Sequence, residues 1–260
     1  MCEFHRLTLA QPSYANIQKI LTVRRVILEA TELPELRPEI GNCWLHSAKV
    51  ARQAHHLQTA YSFLLNASAY SPPELPPEQA KWFWAKGQQE QAIALLEKVL
   101  RNDTWSERAL TSPLYAKTKL LLARYHEESK SLETVEMVEK LREVVQLMPE
   151  VEKSHFYLGQ YYDKVLEGMN KTELNGEQVS LVVEQLFDSL RYGCHFVHQS
   201  LPRLLTLWLD YAAGLTERFP YRKGKDSAPP DVLGQYNKLH RYHSLLVFFY
   251  CILPKDSFTS

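Results

Sequence analysis

An all-α fold is what the sequence predicts, and three observations predict it. Apolar residues recur at helical spacing almost from end to end, and no stretch of useful length alternates as a half-buried strand would. Only nine glycines occur in 260 residues, too few for a chain built of tight β-turns. Two segments also repeat each other. Residues 48–67 (AKVARQAHHLQTAYSFLLNA) and 80–99 (AKWFWAKGQQEQAIALLEKV) set Ala48 over Ala80, Ala60 over Ala92 and Leu64 over Leu96, an offset of 32 residues. Tetratricopeptide-type helix pairs repeat at about 34 residues, so the predicted architecture is an α-solenoid of tetratricopeptide- or HEAT-like pairs.

The elements follow in order. Ser13 is placed to cap a first helix whose apolar side is read as Ile17, Ile20, Leu21, Val23, Ile27 and Leu28, with Pro34 stopping it. In the repeated segments, Ala60 and Ala92 allow the second helix of each pair to approach the first closely. Gly87 serves the turn between them, because without a Cβ it accepts a left-handed conformation. His55 holds the same place in the earlier copy, and strain or lengthening is expected there. Pro72, twelve residues after Ala60, falls where such repeats carry a terminating proline. Trp82 and Trp84 cannot share one helix face, so at least one is predicted to pack on a neighbouring repeat.

A third pair is read at Pro113–Glu128 and Glu133–Met148. The first of these helices carries Leu120, Leu121, Ala123 and Tyr125; the second carries Val135, Val138, Leu141, Val144 and Val145. Pro149 closes it. A helix over Val151–Leu166, a polar loop over Gly168–Gly176 and a helix over Val179–Tyr192 follow.

Composition narrows the functional classes. Hydrophobic residues at 45% and charged residues at 23% are usual for a soluble globular chain. Thirty basic residues balance thirty acidic ones, so no overall positive field draws the chain to nucleic acid or an anionic membrane. Cys2, Cys43, Cys194 and Cys251 are scattered without a CxxC pair, which suits free thiols in a reducing compartment. The first residues lack the apolar core of a signal peptide, so the N-x-S/T matches at Asn66, Asn102 and Asn170 are expected to be unoccupied. The apolar run Leu245–Leu253 is far shorter than the roughly 20 residues of a membrane-spanning helix. Its uncharged surface is expected to drive association instead.

The densest candidate for chemistry is YGCHFVHQSLPRLLTLWLDY, residues 192–211. Cys194, His195 and His198 could be one corner of a zinc site, with His240 and His243 as the only second pair. The competing reading is a turn between two packed helices, and the sequence favours it. Phe196 and Val197 interrupt the would-be ligands, Gln199–Pro202 reads as a helix start, and Leu201, Leu204, Leu205, Trp208, Tyr211, Ala212 and Leu215 form a stripe. Trp208 is read as its core anchor.

No GxxxxGK[ST], GxSxG or HExxH occurs. His240-Arg241-Tyr242 lacks the aspartate of a kinase catalytic loop. Arg222, Lys223 and Lys225 are read as a solvated turn. No catalytic, cofactor-binding or metal-ligating residue is assigned.

The segments GNCWLHSAKVARQAHHLQTAYSFLLNAS, AKWFWAKGQQEQAIALLEK, HFYLGQYYDK and SLRYGCHFVHQSLPRLLTLWLDY, in that order, resemble the FAT region of the phosphatidylinositol 3-kinase-related kinases. Within that family they are similar to the ATR branch, the DNA-damage checkpoint kinases, rather than to ATM or mTOR. The resemblance runs from about residue 7 to about 215. It implies a FAT-type helical-repeat region over 1–229; after about Pro229 the sequence departs from the family, and 230–260 is read as a divergent C-terminal helix, a truncated or mispredicted end.

The resemblance further implies a non-catalytic scaffold fragment of a serine/threonine protein kinase, supporting a kinase domain that lies C-terminal to it. Nuclear localisation, a homodimeric assembly with the ATR-interacting protein, and signalling of replication stress are implied with it. No cofactor is expected in this chain; ATP and magnesium belong to the parent kinase. The alternative reading is a free-standing tetratricopeptide-like adaptor that binds a peptide.

Overall fold

The computed structural model describes residues 13–101, 113–168 and 176–218. Leu245–Leu253, Arg222, Lys223, Lys225, His240 and His243 lie outside them. Every regular element among the described residues is helical. By chain contacts the protein divides into two compact units, Met1–Ser154 and His155–Ser260.

The first unit begins with α1 (Tyr14–Ala30), followed by a 3₁₀ turn at Pro34–Leu36 and then α2 (Arg37–Gln53), α3 (Leu57–Ser68), α4 (Leu75–Ala85), α5 (Gln89–Arg101), α6 (Pro113–Ser129) and α7 (Thr134–Leu147). Each helix packs on the next in chain order, and α2 also touches α4. Nearest-neighbour packing of this kind is the signature of a helical-repeat stack. The 32-residue register holds in the packing: Ala48, Ala60, Ala80, Ala92, Leu64 and Leu96 are all buried, Ala60, Ala80, Ala92 and Leu96 completely.

The turns repeat as well. His55 and Gly87 both sit at positive φ, 62° and 85°. The following residue closes the same reverse bond in each case: the His56 N–H donates to the Ala51 carbonyl and the Gln88 N–H to the Phe83 carbonyl, both at 2.9 Å. These are Schellman-type helix ends. The His55 turn is therefore strained but not lengthened, since α2–α3 and α4–α5 are separated by the same three residues. The α6–α7 connection repeats the motif with Lys130 at φ 52° and the Ser131 N–H donating to the His126 carbonyl.

Three sequence expectations are corrected here. In α1, Leu21 is buried but Val23 and Ile27 stand about 60% exposed. The apolar residues of that helix lie on two faces, not one, so counting them as a single side was wrong. Ser13 does occupy the N-cap, but its hydroxyl makes no capping bond; its carbonyl accepts from Asn16 and Ile17 instead. In α7, Val135 is 70% exposed, because the buried face runs through Met137, Leu141, Val144 and Met148 at i, i+4, i+7 and i+11.

The second unit contains most of α8 (Glu152–Glu167), with α9 (Gly176–Tyr192) and α10 (Val197–Arg218). Its core holds Phe156, Val182, Leu186, Phe196, Leu201 and Leu204. Gly159 lets α8 and α9 close together, since a Cβ there would come within 2.9 Å of the Leu186 side chain. Arg203 of α10 donates from Nε and a terminal nitrogen to both oxygens of Asp163, each at 2.7 Å, and also reaches Glu167. Such a two-pronged guanidinium–carboxylate pair fixes orientation as well as distance.

Candidate functional site

The Cys-His cluster falls where α9 meets α10. Cys194 and His195 lie in the turn before Val197, and His198 lies in the first turn of α10. All three are exposed, whereas Phe196 and Val197 between them are buried. Phe196 stacks on Phe156 with ring centroids 4.0 Å apart and planes 7° from parallel. The turn between α9 and α10 is thus packed against α8. Among the described residues, no three His, Cys, Asp or Glu side chains are grouped to hold a metal.

Two details of α10 depart from expectation. The helix begins at Val197, so Pro202 falls in its second turn, where the missing N–H removes one rung of the helix ladder. Its buried face is Val197, Ser200, Leu201, Leu204 and Leu207, while Leu205 is 44% exposed and drops out of the stripe. The Trp208 side chain lies outside the described residues.

The polar and aromatic groups that converge are on α4. Trp82 and Trp84 point to opposite neighbours. Trp82 donates from Nε1 to the Leu57 carbonyl at 2.8 Å and stacks on Tyr61, both in α3. Trp84 lies on Tyr125 of α6, centroids 3.9 Å apart. One turn earlier, the Glu78 carboxylate is 9% exposed and accepts from Arg52 of α2 at 3.2 Å and from Lys81. Burial pushes the Tyr125 phenol pKa well above its ordinary value and keeps it protonated. Sequence reasoning missed the Glu78–Arg52 pair because no local pattern marks partners 26 residues apart.

Beside this junction, α5, α6 and α7 enclose a cleft of about 340 Å³. Leu100, Leu122 and Ala123 line it with Tyr115, and its rim carries two ion pairs, Arg101–Glu97 at 2.6 Å and Lys119–Glu143 at 2.9 Å, with Lys140 as a third cation. Burial opposes the charge on Lys119, but its bond to Glu143 and that group's charge outweigh it and raise the ammonium pKa. His126 bonds through Nδ1 to the Ser131 hydroxyl at 2.7 Å, with Nε2 3.8 Å from Glu97. Burial and then Lys140 hold its pKa below the ordinary value. Each rim carboxylate is matched with a cation, so neither is set up as a general base.

The geometry defines a class: a helical-repeat packing domain whose convergent side chains tie helices to one another. The family follows from comparison. Residues 5–206 match the sequence model of the FAT domain, and the chain belongs to that family.

Similar chains include the serine/threonine-protein kinase ATR of Drosophila melanogaster, 32% identical over 243 residues, which span 85% of this chain and 10% of the relative. Protein kinase rad3 of Schizosaccharomyces pombe is 29% identical over 228 residues, 80% of this chain and 9% of that one. The ATR kinase of Arabidopsis thaliana is 28% identical over 258 residues, with the same shares. The chain thus spans about a tenth of the length of these relatives. No helix among the described residues is long and apolar enough to cross a membrane.

Proposed function

We propose that the chain is a non-catalytic scaffold segment of an ATR-like serine/threonine kinase acting in the DNA-damage and replication-stress checkpoint. Its role is to support the kinase domain of the parent chain within a nuclear homodimeric assembly that includes the ATR-interacting protein. It contacts neither nucleic acid nor membrane directly and holds no cofactor; ATP and magnesium are used by the parent's kinase domain. The observation that carries this reading is the family match over most of the chain, combined with where the polar residues go. Glu78, Arg52, Trp82 and Trp84 are spent on neighbouring helices rather than on a shared cavity.

The test is calorimetric titration of the purified chain with magnesium–ATP. No heat of binding is expected. A micromolar affinity abolished by substitutions within this chain would overturn the reading.

The α5–α7 cleft favours a second reading, an adaptor that seats a peptide. Reversing Lys140 to glutamate would then change peptide selection. Under the scaffold reading it would change only surface charge.

A further inference from the structure

We propose that the face shared by α2, α4 and α6 seats an extended acidic segment of a partner protein, along a ladder of one cation per repeat. Lys49, Lys81 and Arg124 each directly follow a buried alanine: Ala48, Ala80 and Ala123. Each also stands six residues before the left-handed residue of its turn: His55, Gly87 and Lys130. The three are one position repeated in the first helix of three consecutive pairs, and a repeat stack brings such positions to the same face. Lys49 is exposed, and the Lys81 and Arg124 side chains are 33% and 38% exposed. Contacts across the helices agree with this register. Glu78 bonds Arg52 of α2 as well as Lys81, and Trp84 stacks on Tyr125, the neighbour of Arg124. Burial, then Lys49 and Arg24, lower the His46 pKa while Glu78 raises it, so the Lys49 and Glu78 charges reach the same ring.

The occupant is argued from charge and spacing. Glu78 is turned to Arg52 and Lys81, and Glu128 to Arg124, while Lys49 has no ion pair among the described residues. Cations therefore outnumber carboxylates along the ladder, although the whole chain carries no net charge. A local excess on a neutral chain selects a short acidic segment over a long polyanion such as nucleic acid. Packed helices lie about 8–10 Å apart, which sets the rungs roughly 10 Å from one another. A polyproline-II-like chain rises about 3.1 Å per residue with three residues per turn, so every third side chain faces the same way about 9 Å on. An acidic residue at every third position thus meets each rung in turn. This site goes beyond the scaffold reading, and none of the three cations lines the α5–α7 cleft.

Fluorescence anisotropy at low ionic strength tests the site on the full chain, with a labelled Glu-Pro-Pro-Glu-Pro-Pro-Glu peptide as the probe. This peptide is expected to bind about fivefold more tightly than its permuted form, Glu-Glu-Glu-Pro-Pro-Pro-Pro, which has the same charge without the spacing. Lys49→Glu is expected to weaken the spaced peptide about fivefold at unchanged helicity, because that side chain faces water. Absence of binding overturns the proposal, and so does equal affinity for the two peptides, a comparison that decides on the parent chain even if the variant misfolds. Tighter binding of an oligothymidylate than of the spaced peptide overturns it in favour of nucleic acid. Loss of binding in Lys140→Glu, with Lys49→Glu unaffected, overturns it by moving the peptide to the α5–α7 cleft.

Discussion

Trp84 lies flat on Tyr125, ring centroids 3.9 Å apart and planes 3° from parallel, and this stack joins α4 to α6. An aromatic pair contributes about 0.5–1.5 kcal/mol beyond the area it buries. Trp84→Ala is therefore expected to destabilise the chain by about 3 kcal/mol. Tyr125→Phe, which keeps the ring, should cost less than about 1 kcal/mol. Chemical denaturation of Trp84→Ala, Tyr125→Ala and the double Ala variant measures the coupling; additivity would show that the stack contributes nothing of its own.

Backbone strain makes the next prediction. His55 and Lys130 occupy the left-handed position that Gly87 fills in the equivalent turn, and both side chains are exposed. A non-glycine residue there costs about 1–2 kcal/mol. His55→Gly and Lys130→Gly should each raise stability by about 1 kcal/mol, and Gly87→Ala should lower it by a similar amount. Thermal melts decide, and a destabilised His55→Gly chain would contradict the equivalence of the three turns.

The Glu78 carboxylate binds two cations from a mostly buried position. Glu78→Ala leaves Arg52 partly buried without that counter-ion. The expected loss is about 2–3 kcal/mol, reduced from a fully buried pair because Lys81 is one-third exposed. Lys81→Ala should cost less than about 1 kcal/mol by the same urea unfolding measurement.

The sign of the pH dependence follows from two histidines. His46 and His126 both have folded pKa values below the ordinary 6.5, chiefly through burial, so the unfolded chain binds protons more readily. Their contribution is complete above pH 6.5 and is lost as pH falls through their folded values. The melting temperature should drop as pH falls below 6.5, and His126→Gln should flatten that slope. An unchanged slope in this variant would remove His126 from the account.

How much of this was legible in the sequence depends on the range of the interaction. Ala60 and Ala92 announced themselves because a repeat brings equivalent residues to equivalent depths, and both are fully buried. Gly87 marked its turn, and register alone pointed to His55; nothing marked Lys130, a residue type that seldom takes that conformation. In α1 the apolar residues were read as one side, but Val23 and Ile27, with Val26 that the reading omitted, belong to a second face. The FAT resemblance rested on long ordered segments, and the match over residues 5–206 agrees with it. The Glu78–Arg52 pair and the α5–α7 cleft were illegible, since each needs groups from different helices whose approach no local pattern records.

The central claim, that this chain is a segment of a much larger kinase, is tested most directly by the size of the native polypeptide. Antibody raised against α4 and α5 can be used to probe an extract of the source cells. The account predicts a band about tenfold heavier than the 30.2 kDa of this chain, given the tenth of their length that it spans in its relatives. A single band near 30.2 kDa would contradict it and favour the free-standing adaptor.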